Sequence, residues 1–316
     1  MIVTVTLNAA LDRTLRVPNF QLGRRNRADA SLILPGGKGV NVARALKTLE
    51  QPVIATGLAG GRIGTQIIEQ LTGEGMLNDF VRIRDASRAS MAVIDPTTLQ
   101  QTEINEYGPK VEPEELEMLL RKLRYLSQGA DMFVLAGSLP RDVPTDYYAT
   151  LIAELRRQKV ITALDAAGQV LRAGLAGEPS LVSPNMFEAE EIVGHEFGDA
   201  DDMCEGAEAI CTMGAGGALI HHEDGCVARL RADQGKGRCT WRAHLPRRTD
   251  VVSTVGSGDA FLAGFLWGRY AGASSEDCLA RAVACGAAST QSFGAGTIMR
   301  GDVDALMRQV EVVRVA

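Results

Sequence analysis

The sequence has little of what would mark a secreted, membrane or metal-binding protein. Its six cysteines, at 204, 211, 226, 239, 278 and 285, include no C-x-x-C pair. In a chain of 316 residues they do not read as the framework of a small disulfide-stapled domain. They read as reduced thiols that pack in the interior. No apolar run is long and uninterrupted enough to cross a bilayer, so no membrane partner is expected. No basic leader precedes "MIVTVTL", and the expected location is the cytoplasm. Positive charge is not in excess: the formal net charge is −6, which disfavours a broad nucleic-acid surface. Histidine is scarce, at four residues, and two of these, His221 and His222, are adjacent. Neighbours on a strand point to opposite faces, so the pair is a poor shared metal site. Two common phosphate fingerprints are also missing. In "PGGKGVN" (35–41) Lys38 is followed by Gly39, which breaks the P-loop pattern. No G-x-G-x-x-G follows the first apolar segment, which argues against a nicotinamide-dependent oxidoreductase.

What is present is a globular composition, 46% hydrophobic and 23% charged. Apolar, β-branched segments at Ile2–Leu7, Val53–Leu58, Met132–Ala136, Val160–Leu164 and Ser180–Val182 read as strands. Helical patterns lie between them. Val40, Ala43, Leu46 and Leu49 recur at helical spacing. Pro113–Leu126 opens with proline and acids and ends with basic residues, and Thr145–Arg157 repeats that design with Thr145 as the expected N-cap. Alternating strands and helices predict an α/β fold with a mostly parallel sheet and helices on both faces. Arg13–Leu34 and Arg88–Asn105 lack long helices and alternate apolar with polar residues. They are expected to pair as a small accessory sheet, either covering a site or forming an ordinary edge elaboration.

Four stretches bear on chemistry. In "VVSTVGSGDAF" (251–261), Gly256, Ser257 and Gly258 present consecutive N–H groups at the start of an apolar helix. Such a nest binds anions and suits the charge spread over a phosphoryl group in transfer. Asp259 in the first helical turn is placed to take a proton from an attacking hydroxyl, or is an ordinary N-terminal helix acid. In "PGGKGVN", glycines 36, 37 and 39 allow close backbone approach and Lys38 adds positive charge; a plain strand-to-helix turn reads equally well. In "SPNMFEAEEI" (183–192), Asn185 and Glu188 offer hard oxygens to a hydrated Mg²⁺, or a capping pair. "TMGAGGALI" (212–220) reads as strand, glycine turn and strand, whose backbone would line a nucleotide or form a plain hairpin.

Taken in order, these pieces resemble the PfkB/ribokinase family of sugar kinases over the whole chain. The likeness is closest to the branch acting on sugar phosphates. It rests on "TLNAALD" (6–12), "GGKGVNVAR" (36–44), "TEINEYGP" (102–109), "GSLP" (137–140), "NMFE" (185–188) and "VVSTVGSGDAF". The resemblance implies one ribokinase-like α/β/α domain over 1–316. The segments about 13–34 and 88–105 become a β lid that often forms a homodimer contact. It implies ATP and Mg²⁺ as cofactors and a small sugar phosphate as substrate. Asp259 becomes the catalytic base beside an anion hole of Gly256, Ser257 and Gly258. Asp12, Gly36, Gly37, Lys38, Asn41 and Ser138 become sugar contacts. Arg27, Lys38 and Arg88 become phosphate contacts with Arg25 nearby, although "RRNR" (24–27) also reads as a solvated basic turn. Asn185 and Glu188 would position Mg²⁺. Asn185, Thr212, Gly214, Gly217 and Gly258 would lie along the nucleotide, closed by "QSFGAGT" (291–297).

Four positions depart from the family pattern: Ala9 for proline, Thr212-Met213 for Ser-Leu, and Ser183 where many relatives carry a lysine near the nucleotide phosphates. The implied reaction is conversion of fructose 1-phosphate to fructose 1,6-bisphosphate. Tagatose-6-phosphate kinase and B-type 6-phosphofructokinase are the alternatives, and a non-catalytic sugar-phosphate sensor on the same fold is a distant one.

Overall fold

The computed structural model describes residues 1–98, 100–233, 236–246 and 251–315. Leu99, within the expected 88–105 segment, and Ala316, at the end of the expected 1–316 domain, lie outside the described residues. The chain runs β1 (Ile2–Thr6), β2 (Ala10–Arg16), β3 (Ala30–Gly36), α1 (Lys38–Thr48), β4 (Val53–Gly60), α2 (Gly61–Gly73), β5 (Asn78–Ile83), β6 (Arg88–Asp95) and β7 (Gln100–Asn105). It continues through α3 (Pro113–Leu126), β8 (Met132–Ala136), α4 (Tyr147–Arg157), β9 (Ile161–Asp165), α5 (Gly168–Gly174), β10 (Leu181–Val182), α6 (Met186–Val193) and α7 (Ala200–Thr212). It closes with β11 (Ala218–His222), β12 (Gly225–Arg231), β13 (Arg238–His244), α8 (Ser257–Tyr270), α9 (Ser275–Ser289), α10 (Arg300–Met307) and β14 (Glu311–Arg314).

The large sheet has the order β14-β13-β12-β11-β10-β9-β8-β1-β4-β5. From β11 to β5 every pairing is parallel, while β12, β13 and β14 are antiparallel additions. Side chains alternate between the two faces, as the two-residue period of a strand requires. On β8, Met132, Val134 and Ala136 join the core that packs on α1, α2, α8, α9 and α10, while Phe133 and Leu135 join the core on α3, α4, α6 and α7. Both faces are buried, which explains the continuous apolar runs of these strands. The expected mostly parallel, three-layer α/β fold is the one observed.

Two local readings change. The cap of α4 is Asp146, with no side-chain hydrogen bond, and not Thr145; the backbone makes the turn itself, Tyr147 N–H donating to Pro144 O at 2.9 Å. "TMGAGGALI" is not a hairpin. Asp199 caps α7 by accepting from the N–H groups of Asp201 and Asp202, and the helix runs on through Thr212 before β11 begins at Ala218. The glycines between them serve packing: a side chain on Gly214 or Gly216 would press on the backbone of Leu175 or Ser180.

The second sheet, β3-β2-β6-β7, forms from the two segments expected to pair. β2 and β6 are parallel and the flanking pairs antiparallel. Register places Leu34, Asp12, Ser90 and Asn105 in one cross-strand row that lines a cleft. In the neighbouring row, Ile33–Arg13–Met91–Ile104, the edge-strand residues Ile33 and Ile104 are 40% and 62% exposed, while Arg13 and Met91 also border the cleft.

A close backbone approach lies where β1 meets β4. Gly57 pairs with Thr6, has φ 142°, and a Cβ there would overlap the Thr6 carbonyl. Gly57→Ala combines a left-handed backbone angle with steric overlap and is expected to destabilise the fold by about 3 kcal/mol or more. Urea unfolding measures this; a midpoint equal to wild type would contradict the approach.

Candidate active site

A cleft of about 1190 Å³ opens between the small sheet and the carboxyl ends of the parallel strands. Strand order reverses at β1, with β4 on one side and β8 on the other, and open α/β sheets bind ligands in the crevice beside such a switch point. Two helix N-termini, α1 and α8, reach the same cleft.

The α8 end is built by its glycines. Gly256 caps the helix in the left-handed conformation at φ 77°, and a side chain there would collide with Ala295 and Gly296. Ser257 and Gly258 follow in the first turn, and all three line the cleft. The next residue, Asp259, is 5% exposed at its floor. One carboxylate oxygen accepts from Asn41 Nδ2 at 2.8 Å. Burial, reinforced by the negative charge of Asp165, pushes the Asp259 carboxyl up to about 7. Lys38 and the Asn41 hydrogen bond pull the other way.

The α1 end supplies Gly37, Lys38 and Asn41. Lys38 Nζ lies 2.6 Å from Asp165 Oδ1 and 3.6 Å from Glu188 Oε1. Burial alone would lower the ammonium pKa; the charges of Asp165, Glu188 and Asp259 reverse this and hold it above the ordinary range. Asn185 and Glu188 form a reciprocal capping box: Asn185 Oδ1 accepts from Glu188 N–H at 2.9 Å, and Glu188 Oε2 accepts from Asn185 N–H at 2.9 Å. The capping pattern is therefore realised, and it leaves Glu188 Oε1 facing Lys38. Burial raises the Glu188 carboxyl, against the pull of Lys38. Ser183 is buried, and its hydroxyl has no partner among the described residues. Its N–H bonds Leu164 O, one residue from Asp165.

Across the cleft, the small sheet contributes Asp12 and Arg88. Arg88 reaches Asn8 O at 3.3 Å and Ser90 Oγ at 3.0 Å. Burial raises the Asp12 carboxyl, and Arg88 and Arg44 oppose that shift. Gly36 backs Asp12 so closely that a Cβ would occupy the space of its carboxylate. Ser138, after β8, accepts from Asn8 Nδ2 at 3.1 Å and also lines the cleft.

The structure thus brings Asp12, Gly37, Lys38, Asn41, Arg88 and Ser138 to one cleft with Asn185, Glu188 and the 256–259 turn. It does not bring Arg27 there: Arg27 and Arg25 are exposed on the loop between β2 and β3. Thr212, Gly214 and Gly217 are also absent from the lining. They precede β11, at the end of that strand opposite the cleft, because in a parallel sheet only the carboxyl ends open toward the ligand side. From the 291–297 segment, Gly294 and Ala295 line the cleft.

Three residues were not read from the sequence as part of this site. Asp165 closes the apolar strand "ITALD", and a carboxylate at the carboxyl end of a buried strand was the signal available for it. His221, the penultimate residue of β11, lies against Gly258, where a Cβ would meet its ring at 2.9 Å; burial, with Lys38 and His222, pushes it down to about 4 and keeps it neutral. Arg44 is 8% exposed and carries charge into the base of the small sheet. Among the described residues no group of three or more His, Cys, Asp or Glu side chains could hold a metal, and no helix is long and apolar enough to cross a membrane. All six cysteines are free and five are buried.

This architecture has known counterparts. The chain is 30% identical to tagatose-6-phosphate kinase of Staphylococcus epidermidis, with 100% of both chains covered. It superposes on phosphofructokinase-2 of Escherichia coli, solved with substrates and products, with a TM-score of 0.88, 26% identity and coverage of 97% and 98%. A Thermotoga maritima structure named "Possible 1-phosphofructokinase" matches with a TM-score of 0.86, 25% identity and full coverage of both chains. The family model for pfkB family carbohydrate kinases matches residues 5–300. With that match over nearly the whole chain, the protein belongs to the pfkB family of carbohydrate kinases, phosphotransferases with an alcohol group as acceptor.

Proposed function

We propose that this kinase transfers the γ-phosphoryl group of ATP to a hydroxyl of a ketohexose phosphate, with fructose 1-phosphate as the first reading. The observation that carries it is a buried carboxylate, Asp259, set one residue after an anion-binding turn and facing a cleft with Asp12 and Arg88 on its far wall. In this reading the sugar 6-hydroxyl attacks the γ-phosphorus in line. Its proton passes to Asp259, the bond to the β–γ bridging oxygen breaks, and ADP leaves. The 256–258 N–H groups stabilise the charge on the transferring group without reorganising. Asp12 accepts from a sugar hydroxyl, and Arg88, Lys38 and Ser138 receive the phosphate already on the sugar.

The donor set fits Mg²⁺ held in part by a nucleotide. Glu188 Oε1 and Asp165 Oδ1 are hard oxygens converging on one ammonium beside the anion turn, and Mg²⁺ commonly takes one or two carboxylates plus phosphates and waters. When bound, the ion would neutralise phosphate charge. Asn185 contributes by orienting Glu188. Tagatose 6-phosphate is the second reading, favoured by the name of the 30% identical relative.

The exposed Ile33 and Ile104 on the two edge strands of the small sheet support a homodimer formed through that sheet, the sheet then acting as a lid. A monomer mass at micromolar concentration would exclude this.

Asp259→Asn is expected to lower kcat by about 10³-fold with ATP binding retained; near-normal turnover would remove Asp259 from the base role. The same variant tests the electrostatics. A carboxyl raised on folding contributes stability at low pH and loses it as pH rises through neutrality. Removing the charge should therefore favour the variant over wild type more at pH 8 than at pH 5, by on the order of 2 kcal/mol. An equal difference in thermal stability at both pH values would contradict the shift. Arg88→Ala is expected to raise the sugar-phosphate KM by about 10-fold or more with a smaller effect on kcat; an unchanged KM would move the phosphate site elsewhere. ADP release with fructose 1-phosphate, fructose 6-phosphate, tagatose 6-phosphate and free fructose decides the substrate, and turnover of free fructose alone would overturn the sugar-phosphate reading.

A further inference from the structure

Arg44 lies on α1, one turn beyond Asn41, and its guanidinium is fully engaged. Nε donates to Glu74 Oε2 at 3.0 Å and Nη2 to Glu74 Oε1 at 3.2 Å. Nη2 also donates to Pro35 O at 2.7 Å. Nη1 donates to Ala295 O at 3.3 Å and to Asn41 Oδ1 at 3.3 Å. All five guanidinium hydrogens thus have acceptors. Three walls of the cleft meet on this one side chain: the end of β3, the 291–297 segment and the α1 face that carries Asn41.

The contact with Asn41 has a chemical consequence. Asn41 is 5% exposed and sits between Arg44 and Asp259. A guanidinium can only donate, so the amide oxygen must turn toward Arg44. The amide nitrogen is then left facing Asp259 and donates to its carboxylate. A flipped amide would set donor against donor at Arg44 and oxygen against oxygen at Asp259, and the second clash is relieved only by a proton on Asp259.

We propose that Arg44 is a positioning residue for the base: by fixing which end of the Asn41 amide faces Asp259, it holds Asp259 in the ionised form that can accept the substrate proton. This rests on the proposed role of Asp259 in phosphoryl transfer. The other charged or titratable groups around Asp259 are Lys38 from α1, Asp165 from β9 and Asp12 from β2, with His221 from β11 against the neighbouring Gly258. Lys38 favours the ionised form. Asp165 and Asp12 oppose it, and a neutral His221 adds no charge. The oriented amide is therefore the neutral contribution on the side of the anion, and Arg44 sets its sign.

The test is the pH profile of kcat/KM for Arg44→Met, using the sugar phosphate that wild type turns over. The acid limb is expected to move up by about one pH unit, with most of the activity recovered above pH 9. A loss of the same factor at every pH would show a brace with no effect on the base and would overturn the proposal. Where Arg44→Met does not fold, Asn41→Leu replaces it. That variant keeps the size of the residue but removes the amide, and the same upward movement is expected. An unmoved limb in that variant overturns the proposal equally. A readout without turnover separates this idea from the functional reading. The carboxylic acid band of Asp259, taken from infrared spectra as wild type minus Asp259→Asn, should disappear at higher pH in an Arg44→Met background than in wild type. That movement supports the positioning role even if no tested sugar is phosphorylated, and its absence refutes the role even if one is.

Discussion

The ion pair of Lys38 and Asp165 is the interaction on which the cleft depends. Four carboxylates, Asp12, Asp165, Glu188 and Asp259, approach one another at the end of a buried sheet. Like charges so close would drive protons onto several of them. Lys38 lies 2.6 Å from Asp165 and near enough to Glu188 and Asp259 to act on all three. Against that pull, burial still holds the Asp259 carboxyl up at about 7, where a general base works best. Ser183, buried immediately after β10, brings no charge to this arrangement. A small serine beside Asp165 leaves Lys38 as the near cation for that carboxylate.

The fold delivers these groups by ordinary means. Strand ends carry Asp165, Ser138 and His221 to one edge of the sheet, and two helix N-termini bring Lys38, Asn41 and Asp259 to meet them. Each side chain is held by a rigid element. α8 is buried along most of its length, and Gly264 and Gly268 let α9 approach its backbone. The small sheet presents Asp12 and Arg88 from across the cleft. A rigid donor side and a separately built acceptor side suit a reaction in which positioning supplies most of the rate.

What could be read in the sequence was local. The turn, acid and apolar helix at 256–270 are contiguous, so their meaning survives without tertiary context. The same holds for α3, whose proline and flanking acids announce its start, and for β8, bounded as expected. The glycine run at 212–217 misled because glycine signals a close approach without saying to what: here the neighbours are Leu175, Ser180 and Arg229, far from the cleft. The antiparallel strands β12–β14 carry polar residues that hide their continuity with the parallel sheet. Asp165 and Arg44 act through partners 127 and up to 251 positions away in sequence, and no spacing rule reaches that far.

The central claim is that Asp259 takes a proton and never the phosphoryl group. The stereochemical course at phosphorus tests this most directly, using ATP made chiral at the γ-phosphorus and the sugar phosphate that is turned over. A single in-line transfer to the sugar hydroxyl inverts the configuration, and inversion is the predicted result. Retention would mean two successive transfers through a phosphorylated side chain. Asp259 would then be a nucleophile, and the account of its buried, Asn41-bonded carboxylate as a base would be wrong.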